Sequence, residues 1–415
     1  MQERSTRPSV YSASNSPLQA PAWPLVLCFF LAAVAVFQWN YPGAFLLWWQ
    51  DDVQVYARAV NDWLAGRDPY NASHWPLFFL YPPVFLFLSG FLSHLVPAGW
   101  GWNLFSALHI VAMCAIPLVL ARFFFPQSWL SPQFALLLFF ASPRFPAVLA
   151  FCEMNVAAIL YLAALVGAVP GLRRNRWLGL YLAVFLAAMI KITFISLLLL
   201  PLLAGRRQWA KSALCATAVV AANLLQMALW PQLYSGYRWS LVQGVLVQRN
   251  FGYGVFGIFA EYGRKLHLGA QSIPYLLSIL LAATLVAFLV RLRFRLQESN
   301  SFGPAGRLNH HEIWIALVVV TTILVNPREM QYDMDIAIFV AFVLLVYGLR
   351  ARRLLWLMAA LFVPALLVPL LIHSPRLYGM YDTLLTLAGF GLAYRRLWRE
   401  AGVSQMAFDA VSAAD

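Results

Sequence analysis

Charged residues are scarce in this chain, so the few that lie beside long apolar stretches are the first places to look for chemistry. Asp51 and Asp52 stand together directly after the first membrane-length apolar stretch, at the head of DDVQVYARAVNDWLAGRDPY. A carboxylate pair at a membrane mouth rarely serves packing alone, and the loop it opens, which ends on Tyr81-Pro82-Pro83, reads as the active-site loop of a membrane enzyme. Lys191 interrupts FLAAMIKITFISLLLL, too far from either end of the apolar run to snorkel, so its ammonium is expected to face a cavity or an anion. Glu153 and Asn155, in AFCEMNVAAIL, stand at the start of another apolar helix. In NPREMQYDMD, Arg328, Tyr332 and Asp333 are candidates to line a pocket. Arg249, in QRNFGYG, could meet an anionic headgroup, although the glycines there lack the strand and helix that a phosphate loop requires. Plainer roles compete with these: an N-cap for Asp52, an ordinary acid at a helix start for Glu153, and solvation or capping for part of the 326–335 cluster.

The element that must hold the acids is a short amphipathic helix. Val53, Tyr56, Ala57, Val60 and Leu64 fall on one face at helical spacing, Gly66 supplies a stop, and Asp68-Pro69 supplies a turn. Such a helix is expected to lie flat in the interface. Asp52 would then sit at its N-terminal end, where the helix dipole favours an ionised carboxylate.

Composition decides the larger class. Of the 415 residues, 62% are hydrophobic and 11% charged, more apolar surface than a soluble domain of this size can hide, so the chain is a multi-span helical membrane protein. The net charge of +13 does not point to nucleic acid, because the arginines lie in short clusters between apolar stretches, where they orient helices by staying cytoplasmic. The four cysteines lie in or beside apolar segments without metal-type spacing, and neither a disulfide framework nor a zinc site is indicated. Apolar stretches recur at 23–40, 81–97, 101–121, 130–151, 154–170, 177–204, 212–230, 273–291, 312–326, 334–349, 354–372 and 378–394. They imply an all-α bundle of about 10–13 transmembrane helices. Residues 1–22 read as a disordered cytoplasmic tail, 23–398 as a single membrane domain that includes the first outer loop 51–80, and 399–415 as a second cytoplasmic tail. The first span reads as uncleaved.

Charge bias sets the orientation. The clusters Arg173–Arg176, Arg206-Arg207 with Lys211, Arg291–Arg295, Arg350–Arg353 and Arg395-Arg396 belong inside, which places Asp51-Asp52, the loop 231–272, Asn326-Pro327 and His373–Pro375 outside. One stretch resists this scheme. Positive clusters flank both ends of 177–204, so a single crossing would put one of them on the wrong side. Either that stretch is a broken or re-entrant pair whose tip lines a cavity, or it is one long tilted helix that violates the rule. The same question arises for 130–151, which is interrupted by Ser142-Pro143-Arg144-Phe145-Pro146.

Taken together, these residues resemble glycosyltransferase family 87, polytopic enzymes of the GT-C class. The family's first outer loop carries an Asp three residues before a Val-Tyr pair, then a short helix, Gly-x-x-Pro-Tyr and Tyr-Pro-Pro. Asp52, Val55-Tyr56, Gly66-Arg67-Asp68-Pro69-Tyr70 and Tyr81-Pro82-Pro83 follow that order here. Of the family's Gly-Gln-x-Asn, only Asn155 is kept, in Cys152-Glu153-Met154-Asn155. Lys191 matches a mid-helix Lys, and Asn326–Asp333 matches a late Pro-containing turn. The resemblance implies inverting transfer of a hexose, mannose in bacterial members, from a polyprenyl-phosphate donor to an acceptor hydroxyl on the outer face of the plasma (inner) membrane. It makes Asp52 the general base, and sets Lys191 with Arg249 or Arg328 against the phosphate. Asp51, Tyr56, Tyr70, Tyr81, Glu153, Asn155, Tyr332 and Asp333 would complete the substrate-binding set. The implied partners are the lipid-linked sugar, a lipid or glycan acceptor and the bilayer, with no nucleic acid and no cofactor; Asp51-Asp52 alone is a weak sign of a divalent metal and does not exclude one. The alternative is a transporter or lipid flippase in which Lys191, Glu153 and Asp333 form an ion pathway, but the paired halves expected of such a carrier are not visible.

Overall fold

The computed structural model describes residues 50–71, 77–95, 100–124, 146–248, 251–252, 254–265, 272–298, 308–326, 328, 330–349 and 375–412, with the isolated positions 31, 35, 135 and 139. Helices account for nearly all of them, with no strand among the described residues. The chain enters through α1 (Asp51–Leu64), α2 (Pro83–Leu95) and α3 (Trp100–Phe124). Next come α4 (Pro146–Glu153) and α5 (Val156–Arg174), then α6 (Leu178–Ile190), a 3-10 turn over Ile192–Leu198 and α7 (Leu199–Ala204). α8 (Trp209–Leu229), α9 (Pro231–Leu241) and α10 (Val255–Lys265) lead to α11 (Ser272–Glu298), α12 (Leu308–Leu324), α13 (Gln331–Gly348) and α14 (Pro375–Ser412).

α3, α5, α8 and most of α11 are long and apolar enough to cross a bilayer. α12 and α13 are buried on nearly every side and form the centre of the bundle, whereas α8 and α11 turn Leu214, Leu224, Leu276 and Ile279 outward. Large apolar side chains on the outside fit a protein whose solvent is lipid. The expected span 354–372 lies outside the described residues, as do 23–40, apart from positions 31 and 35, and the interruption before Pro146, which opens α4. α14 runs on to Ser412, so the expected tail from 399 begins as helix.

The stretch 177–204 is a re-entrant hairpin. Lys191 leaves helical geometry (φ −145°, ψ 98°) between α6 and the 3-10 turn, and the chain then returns to the end it left. The return is fixed by hydrogen bonds at the base. Asn175 Oδ1 accepts from Trp177 Nε1 at 2.7 Å and from the Arg206 backbone N–H at 3.1 Å. Arg293 of α11 donates to the carbonyls of Leu202 (3.1 Å) and Gly205 (3.0 Å), which end α7. Both positive clusters therefore lie at one end, and the charge conflict in the sequence disappears. Close packing of α5 on α6 needs glycine: a Cβ on Gly167 would come within 2.6 Å of the Gly179 backbone. At 1.5 Å per residue, α6 lifts Lys191 about 20 Å from the base, roughly two thirds of a hydrocarbon core about 30 Å thick.

The described residues of the other arginine clusters gather at the same end. Arg173 lies over the Phe123 ring, Arg291 and Arg295 flank Trp398, and Glu400 accepts from His310 Nε2 (2.9 Å), Tyr347 Oη (2.6 Å) and Arg396 Nε (2.7 Å). Asp52, Tyr81, Asn155, Arg328 and Asp333 collect away from this end, and Lys191 at the hairpin tip interacts with that group. The bundle thus has one arginine-rich end and one acidic end, as charge bias predicts.

α1 packs on α2, α3 and α4 at the acidic end. Val53, Tyr56 and Val60 face inward as expected, but Ala57 is only partly buried and Leu64 is exposed, while Val55 and Ala59 join the buried set. The apolar face is rotated towards Val55 because α1 is covered by helices on two sides, not one. Gly66, at φ 71°, ends the helix, and the Asp68 carboxylate accepts from the Tyr70 backbone N–H at 2.9 Å, which makes the expected turn.

Candidate active site at the acidic end

Asp52 is not the cap of α1. The N-cap is Gln50, which sits in the left-handed region (φ 62°) and makes no side-chain capping bond. Asp52 falls in the first turn, and its Oδ2 accepts a 2.7 Å hydrogen bond from Asn155 Nδ2. The capping alternative fails because the carboxylate is turned sideways, towards the junction of α4 and α5. Gln50 secures that direction: its backbone N–H donates to the Cys152 carbonyl (2.8 Å) and its Nε2 to Ser106 Oγ of α3 (3.3 Å).

Asn155 is the hub. Between α4 and α5 the chain turns at Met154, whose φ of 57° is unusual for a residue with a side chain, and this turn sets Asn155 at the N-cap of α5. Its Oδ1 accepts from the Ala157 backbone N–H at 2.9 Å, as cap residues do. That leaves both hydrogens of its amide to donate, one to Asp52 and the other to Tyr81 Oη at 3.1 Å.

The tyrosines form a relay whose direction burial decides. Tyr56 Oη and Tyr81 Oη lie 2.8 Å apart, and the Val156 backbone N–H points at Tyr56 Oη from 3.4 Å. Tyr56 is wholly buried, and Tyr81 Oη is the only oxygen among the described residues able to accept its hydrogen. An unmade bond on a buried donor costs about 1–3 kcal/mol, so Tyr56 donates and Tyr81 accepts. Tyr81 then receives from Tyr56 and Asn155 and keeps its own hydrogen for the site. Pro82 and Pro83 stiffen this arrangement: Pro83 opens α2 at the first helical position, and Pro82 biases Tyr81 before it to extended backbone. Tyr70 donates to the Tyr81 backbone carbonyl at 3.0 Å and is buried against Phe79 and Tyr237. Tyr56 and Tyr70 are both buried and hydrogen-bonded to Tyr81, the first at its hydroxyl and the second at its carbonyl.

The charges form one electrostatic group. Lys191 is acted on by Asp333, Arg328, Asp52 and Glu153. Asp52 in turn is acted on by Lys191, Asp51 and Arg328. Asp333 is fully buried, accepts from the Met330 backbone N–H at 2.8 Å as the capping acid of α13, and accepts from Tyr161 Oη as well. It is the buried counter-charge of Lys191 and not a surface contact. Arg328 is partly buried, and its backbone N–H donates to Asn326 Oδ1 at 3.0 Å. Burial pushes the Asp52 carboxyl up to about 6; the Asn155 hydrogen bond and then Lys191 oppose the rise, and Asp51 adds to it. Burial also raises Asp51. A partly buried carboxylate with one oxygen held, ionised near neutral pH, is suited to take a proton from a hydroxyl. Two cations facing it are suited to an anion.

Tyr161 and His109 were not singled out from the sequence. Tyr161 packs its ring 4.6 Å from Phe194, just past the hairpin tip, while its hydroxyl reaches Asp333. The signal was a lone tyrosine within an apolar span, where a hydroxyl must find a partner. Arg249 lies outside the described residues, and Tyr332 falls in the first turn of α13. Among the described residues, no three His, Cys, Asp or Glu side chains are grouped to hold a metal.

The sequence model of glycosyltransferase family 87 matches residues 79–308, more than half of the chain. That range includes Tyr81, Asn155 and Lys191 but not Asp52, Arg328 or Asp333, which are joined to it by the contacts above. Comparison with curated proteins and with solved structures returns no match.

Proposed function

We propose, for a chain that belongs to glycosyltransferase family 87 and is thus a multi-pass membrane glycosyltransferase, that it moves a hexose, mannose in the first instance, from a polyprenyl phosphate to an acceptor hydroxyl on the outer face of the plasma membrane, with inversion. The observation that carries this reading is Asp52, gripped through one oxygen by Asn155 and acted on by both Lys191 and Arg328. The acceptor hydroxyl gives its proton to Asp52 as its oxygen attacks the anomeric carbon from the side opposite the phosphate. The bond from that carbon to the phosphate oxygen breaks, its electron pair stays with the phosphate, and polyprenyl phosphate leaves. Lys191 and Arg328 stabilise the charge that grows there, a role worth about 10²–10³ in rate for a single well-placed donor in other enzymes. Tyr81, with one hydroxyl hydrogen to give, fixes an oxygen of either substrate. A donor with a lipid tail suits this architecture, since the tail remains in the bilayer while the headgroup reaches the hairpin tip.

The test is transfer of radiolabelled mannose from a polyprenyl-phosphate donor by purified protein, wild type against Asp52→Asn. Transfer by the wild type, lost in a variant that keeps its thermal transition, supports the reading. Full activity in Asp52→Asn removes Asp52 as the base. Counterflow of substrate in proteoliposomes without glycosylated product would instead indicate a carrier.

A further inference from the structure

His109 lies in the middle of α3, completely buried, and takes no part in the chemistry above. Its Nδ1 is 3.0 Å from the backbone carbonyl oxygen of Asn155. A carbonyl can only accept, so Nδ1 carries the hydrogen. Nε2 is buried and meets no hydrogen-bonding group among the described residues, as suits a bare lone pair and not a second N–H. The ring is thus neutral and held in the Nδ1–H tautomer, with the Ala150 carbonyl also acting on it.

What this bond holds is the turn that aims the hub. The left-handed Met154 and the extended Asn155 swing the peptide after Asn155 away from the α4 axis; its carbonyl accepts from the Ala158 backbone N–H at 3.3 Å, the first bond of α5, and has a second lone pair open to His109. The side chain of Asn155 is bonded at both ends, to Ala157 and to Asp52 with Tyr81, so the direction of its amide follows the orientation of its backbone. The bond from His109, shorter than the one from Ala158, is a second restraint on that orientation, and it comes from another helix.

We propose that His109 is a positioning residue for Asp52: through the Asn155 backbone it sets the direction of the amide that grips the carboxylate. The proposal rests on the reading of Asp52 as the base, but its test needs no substrate. Asn places an amide N–H close to where the histidine Nδ1 lies, whereas Gln places one near Nε2 and Leu supplies none. Asp52 is titrated by infrared difference spectroscopy on protein labelled with 13C-aspartate, and its band is identified by its absence in Asp52→Asn. The groups that face Asp52 are Asp51 on its own helix, Glu153 at the end of α4, Lys191 at the hairpin tip and Arg328 before α13, with Tyr56 and Tyr81 beside them. None of these is altered in the His109 variants.

The hydrogen bond from Asn155 favours the ionised carboxylate, so loosening it must raise the midpoint. His109→Asn is expected to titrate with the wild type, and His109→Gln and His109→Leu higher by about one pH unit, a roughly tenfold loss of ionised Asp52 below the midpoint. Midpoints that coincide in all four proteins overturn the proposal and leave His109 as packing alone. A His109→Asn midpoint displaced as far as that of His109→Gln overturns it too, because the Nδ1 donor would then not matter. Should His109→Leu fail to fold, the Asn and Gln pair decides the matter unaided. Failure of the transfer assay with an intact titration difference would remove the enzymatic reading and leave the positioning role standing.

Discussion

Replacing Asn155 with serine separates its two tasks. Serine is as good an N-cap as asparagine, so α5 keeps its start, but its hydroxyl is too short to reach Asp52 across the 2.7 Å bond that the amide makes. A hydrogen bond to a charged group is worth about 1.5–3 kcal/mol, and one pKa unit corresponds to about 1.4 kcal/mol, so the loss moves Asp52 upward by roughly one to two units. The wild-type carboxyl is pushed up to about 6, so the variant should titrate near 7 to 8. A base works deprotonated, and activity therefore rises with pH through the pKa and levels off above it. At pH 7 the ionised fraction falls from about nine tenths to between about one half and one tenth, a roughly 2- to 10-fold loss of rate that vanishes by about pH 9. The assay is the initial rate of sugar transfer at low substrate concentration, which reports kcat/KM for the free protein, measured from about pH 5 to 9. A rising limb that stays near 6 in the serine variant, or a loss of equal size at every pH, would show that Asn155 does not set the ionisation of Asp52.

Further substitutions test the remaining parts. Lys191→Met should lower kcat by about 10²- to 10³-fold even at alkaline pH, because it removes a cation from the leaving phosphate; a change confined to the position of the pH limb would mean that it acts only on Asp52. Tyr81→Phe should raise KM for one substrate, whereas Tyr56→Phe leaves the Tyr81 hydrogen in place and should have the smaller effect; the reverse order would invert the relay. Gly167→Leu drives a side chain into the Gly179 backbone, and at about 1–3 kcal/mol for overpacking it should lower the thermal transition in detergent and abolish transfer with it.

Much of this protein could be read along the chain. A bilayer imposes conditions that are local in sequence: apolar length, the position of arginine clusters, and the cost of a stray charge. Those conditions identify the helical class, expose the conflict at 177–204 that the hairpin resolves, and mark Lys191 and the loop at Asp52. Even the turn at Gly66 and Asp68 follows from residue type, since left-handed backbone and side-chain turns belong to particular residues. The partners were a different matter. That Asp52 meets Asn155, that Tyr161 reaches Asp333, and that His109 holds the Asn155 carbonyl depends on which helices pack together, and the pairs are 103, 172 and 46 residues apart. Tertiary packing also buried Tyr56 and Tyr70 behind Tyr81, and turned Asp52 from a possible cap into a sideways carboxylate. Inside an apolar bundle each polar group must be satisfied by whatever lies across the interface, and no local pattern along the chain encodes which group that will be.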